Sequence, residues 1–458
     1  MAFSPRPFEP RMKANVPGKI NAGRTVIISF GFFTVLLCWS YFNLKVPLIL
    51  EDLLPPIPQR DILKGAIMAL DNFLAVFLQP VFGSMSDRTA SRFGRRIPYI
   101  VLGTAFSVFF LVLIPLVRVL AGLTAVIFLF DMAMSIYRTP SLVILADYTE
   151  DSQRSRGSAI QQFIANMGGV IGFAIPMIVR LLPVKESFFD LLGFSICGVL
   201  MLLAMLIQIL FIRETPTGDK LFRLSDKQIR IDSLTFRGSE REPEKEEKYR
   251  LMESLKELFA TNRNMVFFIG AVTFWYLGFA SVEAFFSSFA VSFLGKANDA
   301  EAGKLFMAYS VPMILSAYFV GLIGQRFGRR KALIFFLCWM IASLTLMSAL
   351  VVPRNYKNSN DLVIMVFLAL IAVPWMGVIV NSFPLLWSLA PRDKTGMYTG
   401  VYYTFNQSAY MLSPVIMGVV LSAASSLGDY RYIVMFPYVL LCLVIGLLFT
   451  LRVKEEKG

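Results

Sequence analysis

Apolar residues along this chain gather into long runs separated by short polar gaps, the pattern of helices that cross a membrane. A crossing takes roughly 20 mostly apolar residues. Such runs occur near 26–50, 62–85, 98–119, 122–146, 158–181 and 190–212, and again, after a charged interval, near 264–293, 303–324, 331–353, 361–388, 397–424 and 432–452. The block 98–146 divides only at VRVLAG. The pattern predicts an all-α integral membrane protein with twelve transmembrane helices.

A repeat organises these runs. The string RFGRR stands at 92–96 and again at 326–330, each time after an even-numbered run and at an offset near half the chain. Repetition at half-length in a twelve-span chain predicts two six-helix bundles enclosing a central cavity. The expected divisions are a tail at 1–24, a first bundle at 25–212, a central loop at 213–262, a second bundle at 263–452 and a short tail at 453–458. Basic residues crowd the loops after even-numbered spans, with Arg88, Arg92, Arg95 and Arg96, then Arg326, Arg329, Arg330 and Lys331, and later Arg392 and Lys394. The opposite loops carry fewer, and the positive-inside rule then predicts that both termini and the central loop are cytoplasmic. In the central loop, Leu251, Leu255, Leu258 and Phe259 form one apolar stripe. It reads either as a helix on the membrane surface or as a solvated linker.

Composition sharpens the picture. Of 458 residues, 56% are hydrophobic and 16% charged, more apolar surface than a water-soluble core can hide. The net charge of +13 lies in gaps between apolar runs, so it marks membrane topology and not nucleic-acid binding. Cys38, Cys197, Cys338 and Cys442 fall inside apolar runs without CxxC spacing and imply neither disulfide nor metal site. The chain has no histidine, which excludes imidazole relays and imidazole-based metal sites. The first 24 residues lack the apolar core of a signal peptide.

The stretch GSMSDRTASRFGRR, 83–96, resembles the loop signature of the major facilitator superfamily. Its longer form, with a following Pro-aromatic pair, resembles the glycoside–pentoside–hexuronide:cation symporter branch and the plant-type sucrose–proton symporters. The stretch FLFDMAMSIYRTPSLVILAD, 128–147, resembles the fourth span of the same group. The resemblance implies the major facilitator fold and a gating role for the loop. Gly83 and Gly94 would permit close packing and a sharp turn. Asp87 would accept hydrogen bonds near a helix N-terminus, and Arg88, Arg92, Arg95 and Arg96 would pair with Asp147 or Glu150 to latch the cytoplasmic end. Topology signalling alone is the simpler alternative. The second copy, with Arg326, Arg329 and Arg330, has Gln325 and no matching Asp, so its latch is expected to be weaker.

Ionisable groups at bilayer depth are costly and face a cavity or a partner. Asp71 and Asp131 lie deep in spans two and four, and Arg138 follows Asp131 by seven residues, two turns along one face. The resemblance places Asp131 where sucrose–proton symporters carry an Asp linked to proton coupling. An apolar cavity disfavours the charged carboxyl and a nearby guanidinium restores it, so a change in the Arg–Asp relation would load or release a proton. Asp71 joins Asp131 and Arg138 as a coupling candidate, or serves as a structural tie. The paired second-span acids of sodium-coupled relatives correspond to Ala75 and Gln79 here, which moves protons ahead of sodium as the coupling ion. Asp71 with Asn72 could make a differently placed cation site. No other cofactor and no metal is expected.

In span seven, Trp275, Phe279, Glu283 and Phe286 share one helical face, an arrangement suited to stacking on a sugar and binding its hydroxyls, or to packing. Tyr403, Asn406, Gln407 and Tyr410 in span eleven, with Asn381 and Ser382 in span ten, suit either hydroxyl recognition or interhelical hydrogen bonding. Lys45 reads as a snorkelling anchor or a partner of Asp71. The predicted function is secondary active, proton-coupled symport of a neutral sugar or glycoside by alternating access, in a multi-pass protein of the plasma membrane acting as a monomer. The alternatives are a carrier of lysolipid or another amphipathic molecule, and a proton-coupled drug antiporter. No P-loop, nucleophile motif or metal-ligand cluster supports an enzyme.

Overall fold

The computed structural model describes residues 22–89, 91, 93–148, 154–214, 220–222, 262–351, 360–390 and 395–454. The first half contains α1 (Ala22–Leu53), α2 (Arg60–Met68), α3 (Leu70–Arg88), α4 (Ile97–Leu113), α5 (Leu120–Asp147), α6 (Arg154–Arg180) and α7 (Phe189–Phe211). The second contains α8 (Arg263–Ser288), α9 (Asp299–Phe327), α10 (Arg329–Val351), α11 (Asp361–Leu389), α12 (Thr395–Ala423) and α13 (Met435–Arg452). Eleven described helical stretches are long and apolar enough to cross a membrane, with α2 and α3 forming one of them. The remaining helix, α12, has comparable length. Asn406, Gln407 and its tyrosines make it the more polar one.

The half-length repeat is a repeat of packing. In the first half α1 packs on α6 and α7, α3 on α5, and α4 on α5 and α7. In the second, α8 packs on α12 and α13, α9 on α11, and α10 on α11 and α13. Each of these contacts in one half has its counterpart six spans later. The turns match as well: Gly94 has φ +94° and Gly328 has φ +92°, so both copies of RFGRR place glycine where an L side chain is strained. The halves meet through two symmetry-related pairs, α2 with α12 and α6 with α9, and through α1 with α8.

Span two is interrupted. Ala69 separates α2 from α3, and Asp71 falls in the first turn of α3, where the helix N-terminus favours an anion. Span seven ends in a π-helical turn, Phe289–Phe293, a departure frequent at functional sites. Asparagine side chains cap three helices of the second half: Asn262 for α8, Asn298 for α9 and Asn360 for α11. The central interval holds a short antiparallel pair, β1 (Ile212–Glu214) with β2 (Lys220–Phe222). The apolar stripe at Leu251–Phe259 lies outside the described residues.

Glycine lets α1 and α6 approach closely. A Cβ on Gly168 would lie 2.4 Å from the Phe33 carbonyl oxygen, and one on Gly172 would lie 2.4 Å from that of Leu37. A backbone carbonyl inside a helix has no rotamer by which to yield. Gly168→Val is therefore expected to destabilise the protein by about 1–3 kcal/mol, read as a lower midpoint in thermal unfolding of purified protein. An unchanged midpoint would show that α1 and α6 can separate freely.

Candidate functional site

A cavity of about 390 Å³ lies between the halves and extends into the second, walled by α1, α6 and α8 to α13. The expected face of span seven lines it: Trp275, Phe279, Glu283 and Phe286 all reach it. Phe279 stacks on Trp375 at 4.4 Å and 14° between ring planes, and Tyr276 meets Trp375 edge-on at 5.5 Å. Trp275 is fully buried, with its indole edge so close to α13 that a Cβ on Gly446 would lie 2.5 Å from it. It is wall and wedge together. Glu283 accepts a hydrogen bond from Asn43 Nδ2 at 3.0 Å across the interface between halves.

Beside Glu283 stands the charged group anticipated from spans two and four. Asn72 Nδ2 donates to Asp71 Oδ1 at 2.6 Å. Asp131 is buried, and its Oδ1 has no hydrogen-bond partner among the described residues. Asp71 lies within electrostatic reach of Asp131, Arg138 and Glu283. Arg138 acts on Asp71 and Glu283 through space. Asp71 of α3 is thus the common neighbour of Asp131 of α5, Glu283 of α8 and the Arg138 guanidinium.

The polar set of spans ten and eleven divides differently from the expectation. Tyr410 lines the cavity. Tyr403 is 52% exposed and rests against Tyr402 and Phe383, away from it. Asn406 is buried and Gln407 half-buried, and neither is among the cavity's lining residues. Asn381 is corrected from substrate contact to structural tie. Its Nδ2 donates to the carbonyls of Gly377 and Val320, at 2.8 and 3.2 Å, and its Oδ1 accepts from Arg329 at 2.8 Å. With its bonding capacity so used, it joins α9, α11 and the second RFGRR turn.

The RFGRR loops fall partly within the described residues. Arg96 is almost wholly buried, paired with Asp87 of its own loop and donating to Ser86 Oγ. Gly83 admits Thr139 of α5, whose Cγ2 would stand 3.1 Å from an added Cβ. Arg88 is exposed and Arg95 half-buried. Arg92, Glu150 and the side chain of Asp147 lie outside the described residues. In the second copy, Arg329 bonds Asn381, Arg330 donates to the Leu451 carbonyl at 2.7 Å, and Arg326 lies over the Phe327 ring. That copy works through neutral acceptors, in keeping with its missing Asp.

Apart from the Asn43–Glu283 bond beside the cavity, the described hydrogen bonds and ion pairs between the halves lie toward the opposite, distal end. Lys45 pairs with Asp190 at 2.7 Å and Asp299 at 2.6 Å, and Arg180 reaches the other Asp299 oxygen at 2.9 Å. Lys45 is therefore neither a snorkelling anchor nor a partner of Asp71. A second group joins α1 and α2 to the 3₁₀ turn before α13. Lys64 is 0% exposed, pairs with Glu51, and donates to Ser288 Oγ at 3.0 Å. Arg431 Nε donates to Asp61 at 2.7 Å and its Nη2 to Glu51 at 3.1 Å, while Tyr432 OH donates to Glu51 at 3.2 Å. Backbones touch there too, since a Cβ on Gly65 would lie 2.2 Å from the Pro414 carbonyl oxygen. Between the Asp299 pairs and the cavity, Phe173 stacks on Phe306 at 4.4 Å and 10°. Glu51, Asp61, Lys64 and Arg431 were not singled out from the sequence. Their only signal was charge at span ends, which topology already explained.

A sequence profile of the family described as MFS/sugar transport protein matches residues 60–451. The fold is similar to that of a bacterial homologue of the human lysosomal transporter Spinster, solved inward-facing and occupied. That match has a TM-score of 0.68 at 13% identity and covers 96% of this chain and 97% of that one. The same homologue, inward-facing and unoccupied, gives 0.65 at 13%, covering 97% and 100%. A point variant of the nucleoside transporter NupG gives 0.65 at 12%, covering 93% and 99%. At these identities the likeness is one of fold alone. Among curated proteins, none matches the sequence significantly.

Removing one partner of a buried ion pair leaves the other charge uncompensated, at about 3–5 kcal/mol. Arg431→Gln removes the cation that the second half brings to Glu51 and Asp61, which keep Lys64 and Arg60 of their own half, so part of this cost falls on the closed distal end and the variant is expected to open it. Ser288→Cys, placed behind Lys64 in a Cys338→Ser background, reports this through a membrane-impermeant maleimide. Labelling should be at least tenfold faster with Arg431→Gln than without it. Equal rates would mean that the network does not hold the end shut.

Proposed function

Because the chain belongs to the MFS/sugar transport protein family, we propose that this multi-pass membrane transporter is a secondary active symporter, moving a neutral sugar or glycoside together with protons by alternating access. The observation that carries the proposal is the convergence of Asp71, Asp131, Glu283 and Arg138 beside an aromatic-walled cavity. If every carboxyl were ionised, three negative charges would face one positive charge in a medium that screens poorly. Protons cancel that excess, while a neutral substrate leaves it in place. Asp131 is the proposed proton carrier, with a buried carboxylate oxygen free to receive a proton. Arg138 sets its balance through Asp71 and Glu283. Phe279, Trp375 and Tyr410 offer ring faces to the C–H side of a sugar, and Glu283 with Asn43 offers acceptor and donor to its hydroxyls.

Alternating access needs the distal contacts to break and re-form in each cycle. If the basic RFGRR loops are cytoplasmic, as the positive-inside rule expects, the closed distal end faces outward and the form described is the cytoplasm-facing one. Similarity to inward-facing structures supports that assignment. Both termini would then be cytoplasmic, in a protein working as a monomer at the plasma membrane. A second reading, carriage of a lysolipid or another amphipathic molecule, is favoured by the apolar remainder of the cavity wall.

Reconstituted vesicles in weak buffer test the proposal. Adding the right member of a panel of mono- and disaccharides and glycosides should alkalinise the outside medium, and Asp131→Asn should abolish the signal. Exchange of labelled for unlabelled sugar, which needs no net proton movement, should survive in the variant within a few-fold. Silence across the sugars with movement of labelled lysolipid would replace the first reading by the second.

A further inference from the structure

The cavity wall is part polar and part apolar. Ser40, Asn166 and Glu283 stand where α1, α6 and α8 meet across the halves, and Tyr276, Tyr309, Ser310 and Tyr410 add hydroxyls from α8, α9 and α12. The part that penetrates to α10 and α13 is closed by Met340, Leu344 and Met347 of α10, Leu368 of α11, and Met435 and Leu443 of α13. These six side chains are buried, and they bring no hydrogen-bonding group beyond the weak thioether acceptors of methionine. They belong to three helices whose main-chain amides and carbonyls are consumed within the helices themselves. A sugar ring pushed into this chamber would lose its hydrogen bonds to water without replacing them, at a cost for each unmatched hydroxyl.

Resting on the symport reading, we propose that this chamber is a second subsite of the transport site and takes an alkyl or aryl substituent of the substrate. The preferred cargo is then a glycoside with an apolar aglycone, not a free sugar. The hydroxylated ring lies against Glu283, Asn43 and the Phe279–Trp375 stack, and its substituent points toward α10 and α13. Methionine suits such a wall. Its unbranched thioether side chain adapts to groups of different shape, and three of the six closing residues are methionines. The chamber lies within one bundle and not between the two, so rocking of the halves leaves it intact. The apolar substituent can stay seated while the polar face changes its exposure.

Trp39, Trp275 and Trp375 line the cavity, so intrinsic fluorescence reports its occupancy. Methyl, butyl, hexyl and phenyl β-glucosides and β-galactosides are titrated into protein in lipid nanodiscs free of glycoside detergent, with hexanol as a probe lacking the sugar. Affinity is expected to rise about fourfold per methylene from methyl to hexyl, from roughly 0.8 kcal/mol per buried CH₂. Phenyl and hexyl glycosides should bind comparably, and hexanol far more weakly. Leu344→Phe, which fills the chamber, and Met347→Gln, which makes it polar without changing its size greatly, should each flatten the chain-length series and leave methyl glycoside binding unchanged. Either variant suffices should the other fail to fold. Equal binding of methyl and hexyl glycosides by the wild type would overturn the chamber's role and leave the sugar reading standing. Hexanol binding as tightly as hexyl glycoside, with no response to any methyl glycoside, would overturn the sugar reading itself. Silence throughout would overturn both.

Discussion

Charge buried without water is the constraint around which this molecule is arranged. In a bilayer an ion has to find its counterion inside the protein, and here the pairings that join the halves gather toward one end. Lys45 and Arg180 meet Asp299, while Lys64 and Arg431 meet Glu51 and Asp61. Asp299 and Arg431, the two ions contributed by the second half, find their described ion partners in the first. Their mutual need holds the halves together at that end, and the contact of Gly65 with Pro414 and the Phe173–Phe306 stack form around that approach. Closure is thus built from groups that cost much more to bury singly than to bury together.

Midway along the bundle the same rule is only partly met. Asp71 has Asn72, Glu283 has Asn43, and one Asp131 oxygen has no partner among the described residues. An incompletely paired set is unfavourable as a structural tie and useful as a site, because a bound species can complete it. The break at Ala69 serves this purpose. It interrupts span two just before Asp71 and gives that carboxyl a helix N-terminus to rest on.

Long apolar runs and the RFGRR repeat made the architecture legible before any coordinates. The repeat reappears in the paired packing of the halves and in the matching turns at Gly94 and Gly328. The stripe Trp275, Phe279, Glu283 and Phe286 was equally legible, since residues spaced along one helix share a face whatever the neighbours do. What the sequence hid was partnership between distant segments. Asn381 looked like a sugar ligand, but its amide is spent on two carbonyls and Arg329, an arrangement requiring α9, α11 and a loop to meet. Lys45 could not be matched to Asp299 from spacing, because the two lie in different halves. The distal network was invisible for the same reason: each member, read alone, is an ordinary charge at the end of a span.

The two ends also differ in how far the surrounding medium reaches them. The Asp87 side chain in the RFGRR loop is 51% exposed, and dissolved ions weaken such a pair over the ~8 Å Debye length of physiological salt. Lys64 has no exposed surface, and Lys45 and Asp299 are nearly as sheltered. Mobile ions cannot enter among them without first separating the helices. A transporter closed in this way keeps its grip in dilute and in concentrated surroundings alike.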